Sequence, residues 1–337
     1  MNILLTGGSG YIGSHTAVVL AQIGHQVVLF DNLFNSSIDV IDRIAKIIGR
    51  TPPFIQGDVR DSVLLCKTLR EHRIDVVVHF AGLKAVGESV ERPVEYYANN
   101  VQGAISLLQS MQAESIKRLV FSSSATVYGE PQYLPIDENH PNSATNPYGR
   151  TKLYIEKMLN DVAQSDPDWS IICLRYFNPV GAHESGLIGE NPAGIPNNLM
   201  PIVAQVANGQ RAELSVFGNS YSTADGTGVR DYIHVMDLAE GHTAALDYLG
   251  SHKGWHAINL GTGRGYSVLE VVKAFENASG HPVPYKIVPK RPGDVAACYA
   301  NASKANHELG WAARRDLTDM CASTWRFQSQ VESTAHS

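Results

Sequence analysis

Two side chains one helical turn apart, Tyr148 and Lys152 in Tyr148-Gly149-Arg150-Thr151-Lys152, have the chemistry of a proton-transfer pair. At a spacing of four, both project from one face of a helix. A phenol with a pKa near 10 is a poor base at neutral pH, and a fixed ammonium beside it favours the phenolate. Each tenfold gain in phenolate takes roughly 1.4 kcal/mol of preferential interaction. A hydroxyl from the upstream run Ser122-Ser123-Ser124 could hold the substrate oxygen. The spacing alone also occurs by accident on exposed helices, so the pair needs a setting.

The amino terminus supplies one. Asn2-Ile3-Leu4-Leu5-Thr6 reads as a short buried strand and runs straight into Gly7-Gly8-Ser9-Gly10-Tyr11-Ile12-Gly13. Gly7, Gly10 and Gly13 follow G-x-x-G-x-x-G, a spacing variant of the dinucleotide fingerprint. Such glycines allow a tight turn, close approach of the backbone to a pyrophosphate, and close helix–strand packing. The free N–H groups opening the helix from Ser14 would face that anion. A second apolar run, Gln26-Val27-Val28-Leu29-Phe30, ends in Asp31. A carboxylate there accepts from a ribose diol and repels a 2′-phosphate, which selects NAD over NADP.

Strands and helices then alternate. Phe54–Asp58, Asp75–Gly82, Arg118–Ser123 and Ser170–Arg175 read as strands, and Asp61–Arg70, Arg92–Met111 and Pro147–Ala163 as helices. The pattern predicts a doubly wound parallel α/β sheet of Rossmann type, whose ligands lie beyond the carboxyl ends of its strands. Asp31, Asp58, Ala81, Ser124 and Asn178 all fall at or just past such ends. After Phe177 the chain becomes rich in Gly, Pro and Asn, as expected of a smaller substrate-binding cap. The expected division is a dinucleotide-binding unit over 1–177, with 232–262 returning to the sheet. A cap is expected over 178–231 and 263–327, and a frayed polar tail over 328–337.

Composition excludes several functions. The chain has 337 residues, 44% hydrophobic and 18% charged, enough for a large core without disordered stretches. A formal charge of −6 gives no footprint for nucleic acid or an anionic membrane. No apolar run approaches the roughly 18 residues of a membrane span, and with the first strand starting at Asn2 no leader is expected. Cys66, Cys173, Cys298 and Cys321 are scattered, and no histidine or cysteine spacing suits a metal, so a reducing cytoplasm without a bound metal is expected.

Longer motifs narrow the reading. These are Thr6-Gly7-Gly8-Ser9-Gly10-Tyr11-Ile12-Gly13-Ser14-His15, His79-Phe80-Ala81-Gly82-Leu83-Lys84-Ala85-Val86 and Ser122-Ser123-Ser124-Ala125-Thr126-Val127-Tyr128-Gly129. Further along stand Leu174-Arg175-Tyr176-Phe177-Asn178-Pro179-Val180-Gly181-Ala182, Ile195-Pro196-Asn197-Asn198-Leu199-Met200-Pro201 and Gly228-Val229-Arg230-Asp231-Tyr232-Ile233-His234-Val235. Through them the chain resembles the UDP-glucose 4-epimerase family of the extended short-chain dehydrogenase/reductase superfamily over essentially its full length. The glycine motif marks only the superfamily; Lys84 and the Asn197-Asn198-Leu199-Met200-Pro201 segment point to the epimerases.

The resemblance implies an NAD that stays bound, hydride removal and return at sugar C4 through a 4-keto sugar, and interconversion of UDP-galactose and UDP-glucose. It implies Tyr148 as the base and Ser124 on the 4-oxygen. Lys152 would lower the Tyr148 pKa and hold the nicotinamide ribose. It assigns NAD contacts to Tyr11, Ile12, Asp31, Asn32, Asn35, Ser36, Asp58, Val59, Lys84, Asn99 and Phe177, beside the glycines and the strand-end Phe80 and Ala81. UDP-sugar contacts fall on Asn178, Asn198, Leu199, Phe217, Arg230, Arg291 and Asp294, with no metal ligand. Arg230 could instead pair with Asp231 or Asp225, and Arg291 could be a plain surface-loop residue. A cytoplasmic homodimer joined through Arg92–Met111 and Pro147–Ala163 is implied, serving galactose use or surface-polysaccharide precursor supply.

Two rival readings share the fold. A nucleotide-sugar 4,6-dehydratase would need an Asp-Glu pair where Ala125 and Thr126 stand. A non-catalytic NAD sensor would not need Ser124, Tyr148 and Lys152 together. One departure bears on selectivity: some epimerases restricted to UDP-glucose and UDP-galactose carry a tyrosine four residues after the Asp294 position. Here that place is Cys298, with Tyr299 next to it. The vacancy would admit an acetamido group, so interconversion of UDP-GlcNAc and UDP-GalNAc is expected as well.

Overall fold

The computed structural model describes residues 1–335 except Ala193, Ile195, Asn197 and Pro292, with side chains as far as Gln330. Seven parallel strands form the main sheet. They are β1 (Asn2–Thr6), β2 (Gln26–Asp31), β3 (Phe54–Gln56), β4 (Val76–His79), β5 (Arg118–Ser124), β6 (Ser170–Tyr176) and β7 (Gly254–Leu260), in the spatial order β7-β6-β5-β4-β1-β2-β3. The order reverses at β1, the switch point at which doubly wound sheets bind ligands.

Alternation along each strand builds two cores. Ile3 and Leu5, Val27 and Leu29, and Val76 and Val78 face helices Tyr11–Gln22, Asp39–Ile48 and Val235–Leu249. Leu4, Val28, Phe30, Val77 and Phe121 face the opposite layer, with Leu65, Leu107, Ile155 and Leu159 from helices Ser62–Glu71, Gln102–Ala113 and Pro147–Ser165. A period of two places successive residues on opposite faces, so near-continuous apolar runs are what a doubly covered sheet requires.

Three sequence expectations are corrected. The chain does not rejoin the main sheet at residue 232. Val229–His234 is the centre of a second, small sheet, pairing with Asn178–Val180, Gly265–Ser267 and Ala297–Cys298. Only Gly254–Leu260 returns, as the edge strand beside β6. The Arg92–Met111 stretch is not one regular helix: a π turn over Tyr97–Val101 separates Pro93–Tyr96 from Gln102–Ala113. The polar end is not frayed through 335, because Leu317–Ala335 is one helix. His336 and Ser337 lie outside the described residues, as do Ile195, Asn197 and Pro292 of the cap motifs.

Helices Leu199–Ala207, Val268–Ser279 and Leu317–Ala335 enclose a further apolar cluster around Met200, Val203, Val271, Phe275 and Met320. The second of these begins at a capping box, Ser267 and Glu270 satisfying each other's backbone N–H. Among the described residues, no helix is long and apolar enough to cross a membrane. Phe275 is fully buried and meets Trp325 edge-on at 6.2 Å. Phe275→Ala should therefore lower unfolding free energy by about 3–5 kcal/mol in a urea titration followed by circular dichroism. A loss below ~1 kcal/mol would show that this cluster is not packed as a core.

Candidate active site

One cavity of about 1310 Å³ runs along the carboxyl ends of the main strands and under the small sheet. Its floor is the glycine loop. Gly7 adopts φ +72°, and a Cβ there would lie 2.7 Å from the Ala81 backbone nitrogen. A Cβ on Gly13 would lie 2.3 Å from the Gly7 carbonyl. No other residue fits either place, so β1, β4 and the first helix meet at backbone distance, leaving a cradle open to a pyrophosphate. Gly7, Gly10, Tyr11, Ile12 and Gly13 all line it.

Beyond β2, Asp31 is held in place by the Ser9 N–H at 3.1 Å and the Leu33 N–H at 2.9 Å. It lines the cavity with Asn32, Asn35 and Ser36. Val59, Phe80, Ala81, Lys84, Asn99 and Phe177 complete that half. The π turn explains Asn99: its extra residue turns Asn99 to the cavity, while neighbouring Asn100 reaches the Leu83 backbone and the Thr151 hydroxyl. Asp58 stands off the wall, between the cavity-lining Gly57 and Val59. It is committed to Arg60, whose two side-chain contacts at 2.7 and 2.8 Å hold its carboxyl down to about 2.

The three proposed catalytic residues converge on one wall. Ser124 ends β5 and caps a short 3₁₀ turn by accepting from the Thr126 N–H at 3.2 Å. Tyr148 occupies the first turn of Pro147–Ser165, after Pro147 at the start and an Asn146 cap accepting from the Gly149 N–H at 2.8 Å. Lys152 is buried, and its ammonium donates to the Ser122 carbonyl at 2.6 Å.

Electrostatics here departs from the sequence expectation. The ammonium lies 6.0 Å from the Tyr148 ring centre and gives its hydrogen bond to backbone. Burial raises the Tyr148 pKa, and the Ser124 hydroxyl opposite only partly counters it. Burial also lowers Lys152, to about 8. In the protein alone, then, the lysine does not bring the phenol into working range; desolvation wins over the charge. The first-turn position helps the phenolate, since a helix N-terminus favours negative charge.

The other half of the cavity is built by the cap. Asn178, Asn198, Arg230, Asp294 and Cys298 line the cavity, whereas Leu199, Phe217 and Arg291 do not. Arg291 stacks on Phe217 at 3.6 Å. Arg230 pairs with neither Asp231 nor Asp225: it donates to the carbonyls of Val229 and Val295 and reaches Asp294 at 3.9 Å. Asp231 instead accepts from Thr262, Gly263 and Ala300, and Asp225 from Ser267 and Thr227. Glu190 was not foreseen. It lines the cavity and joins the two halves, accepting from Lys84 at 3.0 Å and from Asn198 at 2.6 Å. A lone Glu in a loop-rich segment carries no local signal, so only the fold could reveal it.

The sequence matches the GDP-mannose 4,6-dehydratase family model over residues 4–324. It is 56% identical to the UDP-glucose 4-epimerase of Bacillus subtilis over 329 residues, covering 98% of this chain and 97% of that one. The structure superposes at TM-score 0.97 and 53% identity on a UDP-glucose 4-epimerase from Stenotrophomonas maltophila with bound NAD and formylated UDP-arabinopyranose, covering 99% of both chains. A UDP-glucose 4-epimerase from Bifidobacterium longum, in complex with NAD+ and UDP, gives 0.95 and 54%, with 98% of each chain covered.

Gly7→Ala combines a positive φ with a backbone clash, strain worth about 1–3 kcal/mol. The variant should retain dinucleotide roughly 5- to 100-fold more weakly, measured as cofactor released from the purified protein by acid. Unchanged retention would remove the glycine cradle from dinucleotide binding.

Proposed function

The chain belongs to the UDP-glucose 4-epimerase family, within the wider group described by the GDP-mannose 4,6-dehydratase model, and we propose that the cavity described above is where it works. It interconverts UDP-galactose and UDP-glucose through a 4-keto sugar. The observation that carries the site assignment is the meeting of Ser124, Tyr148 and Lys152 on one cavity wall, next to a glycine cradle that fits a dinucleotide. Bound in that cradle, NAD would supply the acceptor and donor of the C4 hydride.

The remaining steps belong to the protein. Tyr148 takes the proton of the sugar 4-hydroxyl and gives it back; Ser124 holds the 4-oxygen during both transfers. Lys152, its pKa brought to about 8, stays largely cationic at neutral pH and offers its N–H groups to the nicotinamide ribose. Ala125 and Thr126 line the same wall, and neither can move a proton as a dehydratase requires. Asp31 and the residues around it take the adenosine end, in the 1–177 unit. Asn178, Asn198, Arg230 and Asp294 take the UDP-sugar beneath the cap of 178–231 and 263–327, and Leu199, Phe217 and Arg291 join them in the bound state.

Exposed Val94 and Tyr154 lie on the helices expected to join two copies, and exposed Val90 on the short helix Val86–Glu91 just before the first of them, which supports a homodimer. All four cysteines are free thiols, in keeping with work in a reducing cytoplasm.

Cys298 widens the substrate range. It lines the cavity, its thiol kept neutral because burial pushes it up to about 11. Tyr299 takes the other face, where a Cβ on Gly265 would sit 3.2 Å from its ring. A cysteine there leaves the place that a tyrosine ring would fill, which an acetamido group can take, so UDP-GlcNAc and UDP-GalNAc are substrates too.

Purified protein given UDP-galactose without added NAD should form UDP-glucose. Tyr148→Phe should keep NAD and lose roughly two to four orders of magnitude in kcat; near-normal turnover would exclude Tyr148 as the base. Cys298→Tyr should cut turnover of UDP-GlcNAc by roughly a hundredfold, the scale of a steric pocket mismatch, while sparing UDP-galactose. No conversion of UDP-GlcNAc by the unaltered protein would overturn the wider range.

A further inference from the structure

Glu156 stands one turn beyond Lys152 and two beyond Tyr148, on the inward face of the Pro147–Ser165 helix. Its side chain is 2% exposed, as is that of its partner Arg175. One carboxylate oxygen accepts from the Ser123 hydroxyl at 2.5 Å and from Arg175 Nε at 3.0 Å; the other accepts from Arg175 Nη2 at 2.6 Å. Arg175 Nη1 reaches the Tyr128 oxygen at 3.0 Å, and Tyr128 donates to Asn259 at 2.6 Å.

Each anchor borders a working residue. Ser123 precedes Ser124 on β5, and Arg175 lies across from Ser123 on β6, two residues before Phe177. A buried ion pair is poor evidence of stability, because apolar replacements of similar shape often serve as well. Its place behind the reacting groups needs another reason. We propose that the buried Glu156–Arg175 pair is the positioning device of this active site, fixing the Tyr148 helix to the ends of β5 and β6 and setting the charge felt by Lys152. This rests on the epimerase reading, in which Lys152 works as a cation.

The groups facing the Lys152 ammonium can be named from every side. Its own helix offers Tyr148 and Glu156; β5 offers the Phe121 ring at 4.9 Å and the Ser122 carbonyl. Cys173 comes from β6 and the neutral, buried His79 from β4. Burial drives the ammonium toward deprotonation and Glu156 is the main counterweight, with Arg175 neutralising Glu156 in turn. Glu156→Gln leaves the Arg175 cation unbalanced, so Lys152 must lose its proton at lower pH. Arg175→Met leaves the carboxylate unbalanced, so Lys152 must hold its proton to higher pH. Both variants remove the same ion pair, yet their effects on Lys152 have opposite signs, which mere loosening of the structure cannot produce.

The test is a titration of the purified holoenzyme labelled with 13Cε-lysine, the Lys152 resonance being identified by its absence in Lys152→Met. The midpoint should lie near 8 in the unaltered protein. It should fall by about one pH unit in Glu156→Gln and rise by about as much in Arg175→Met, with the alkaline limb of kcat following each. Shifts in the same direction, or none, would overturn the proposal. Glu156→Asp keeps the charge but shortens the reach, and it covers the case of a variant that does not fold. It should keep the midpoint and lower kcat about tenfold at unchanged KM; an unchanged kcat would overturn the positioning role. Absence of UDP-galactose turnover in the unaltered protein would sink the epimerase reading alone, since the lysine titration is read without substrate.

Discussion

A parallel sheet covered by helices on both faces leaves only its strand ends for chemistry, and the rest of this protein follows from that constraint. Every main strand points its carboxyl end to one edge, because all six pairings in the sheet are parallel and each strand is followed by a crossover back to the other end. The edge would be a fringe of unrelated loops unless the segments met closely. They do so at Thr6, whose carbonyl accepts the N–H groups of both Phe80 and Ala81 at 2.9 and 3.0 Å, while Gly7 bonds to Phe30 at 2.8 Å. The cavity is the space left between these junctions and the cap.

Burial decides the electrostatics of that space. It pushes Tyr148 up and Lys152 down, so each is moved toward its neutral form. The two groups are thus driven apart on the pH scale, so the neutral pair is the resting state and the phenolate needs positive charge beyond that of Lys152. His79 and His242 show the same force at work: burial lowers them to about 3 and about 4, and they serve as neutral packing and hydrogen-bonding groups. The site's working charge is therefore confined to a few groups, each with a named partner. Lys152 leans on backbone, Lys84 on Glu190, and Arg230 on two carbonyls and Asp294.

What could be read from the sequence was local. A strand, three spaced glycines, a helix and a terminal Asp signal their roles within thirty or so residues, and Gly7, Gly13 and Asp31 stand where that pattern puts them. The Tyr148–Lys152 pair was visible because helical spacing fixes a shared face. Glu190, Asn100 and the Glu156–Arg175 pair were not, because their partners lie 106, 51 and 19 positions away in the chain. The small sheet escaped for the same reason: Val229–His234 gathers strands from three other parts of the chain, and no periodicity records who pairs with whom. The π turn at Tyr97–Val101 was hidden because one extra residue leaves the apolar spacing almost unchanged.

The small sheet also explains how one substitution could alter selectivity without disturbing catalysis. Cys298 pairs in register with Arg230, so side chains of neighbouring strands reach the sugar half of the cavity side by side. Period-two alternation then forces Tyr299 to the opposite face, against Gly265, whatever its size. A bulky ring at 298 would fill the cavity; the same ring at 299 is absorbed by the cap. Tyr148, Lys152 and Ser124 belong to the main sheet and its helix, whereas Cys298 belongs to the small sheet and packs against a cluster that includes Val127, Tyr128 and Phe177. On the function proposed above, substrate range and proton transfer would thus rest on different sheets. Pocket width can change at residue 298 while the catalytic wall stays where the main sheet holds it.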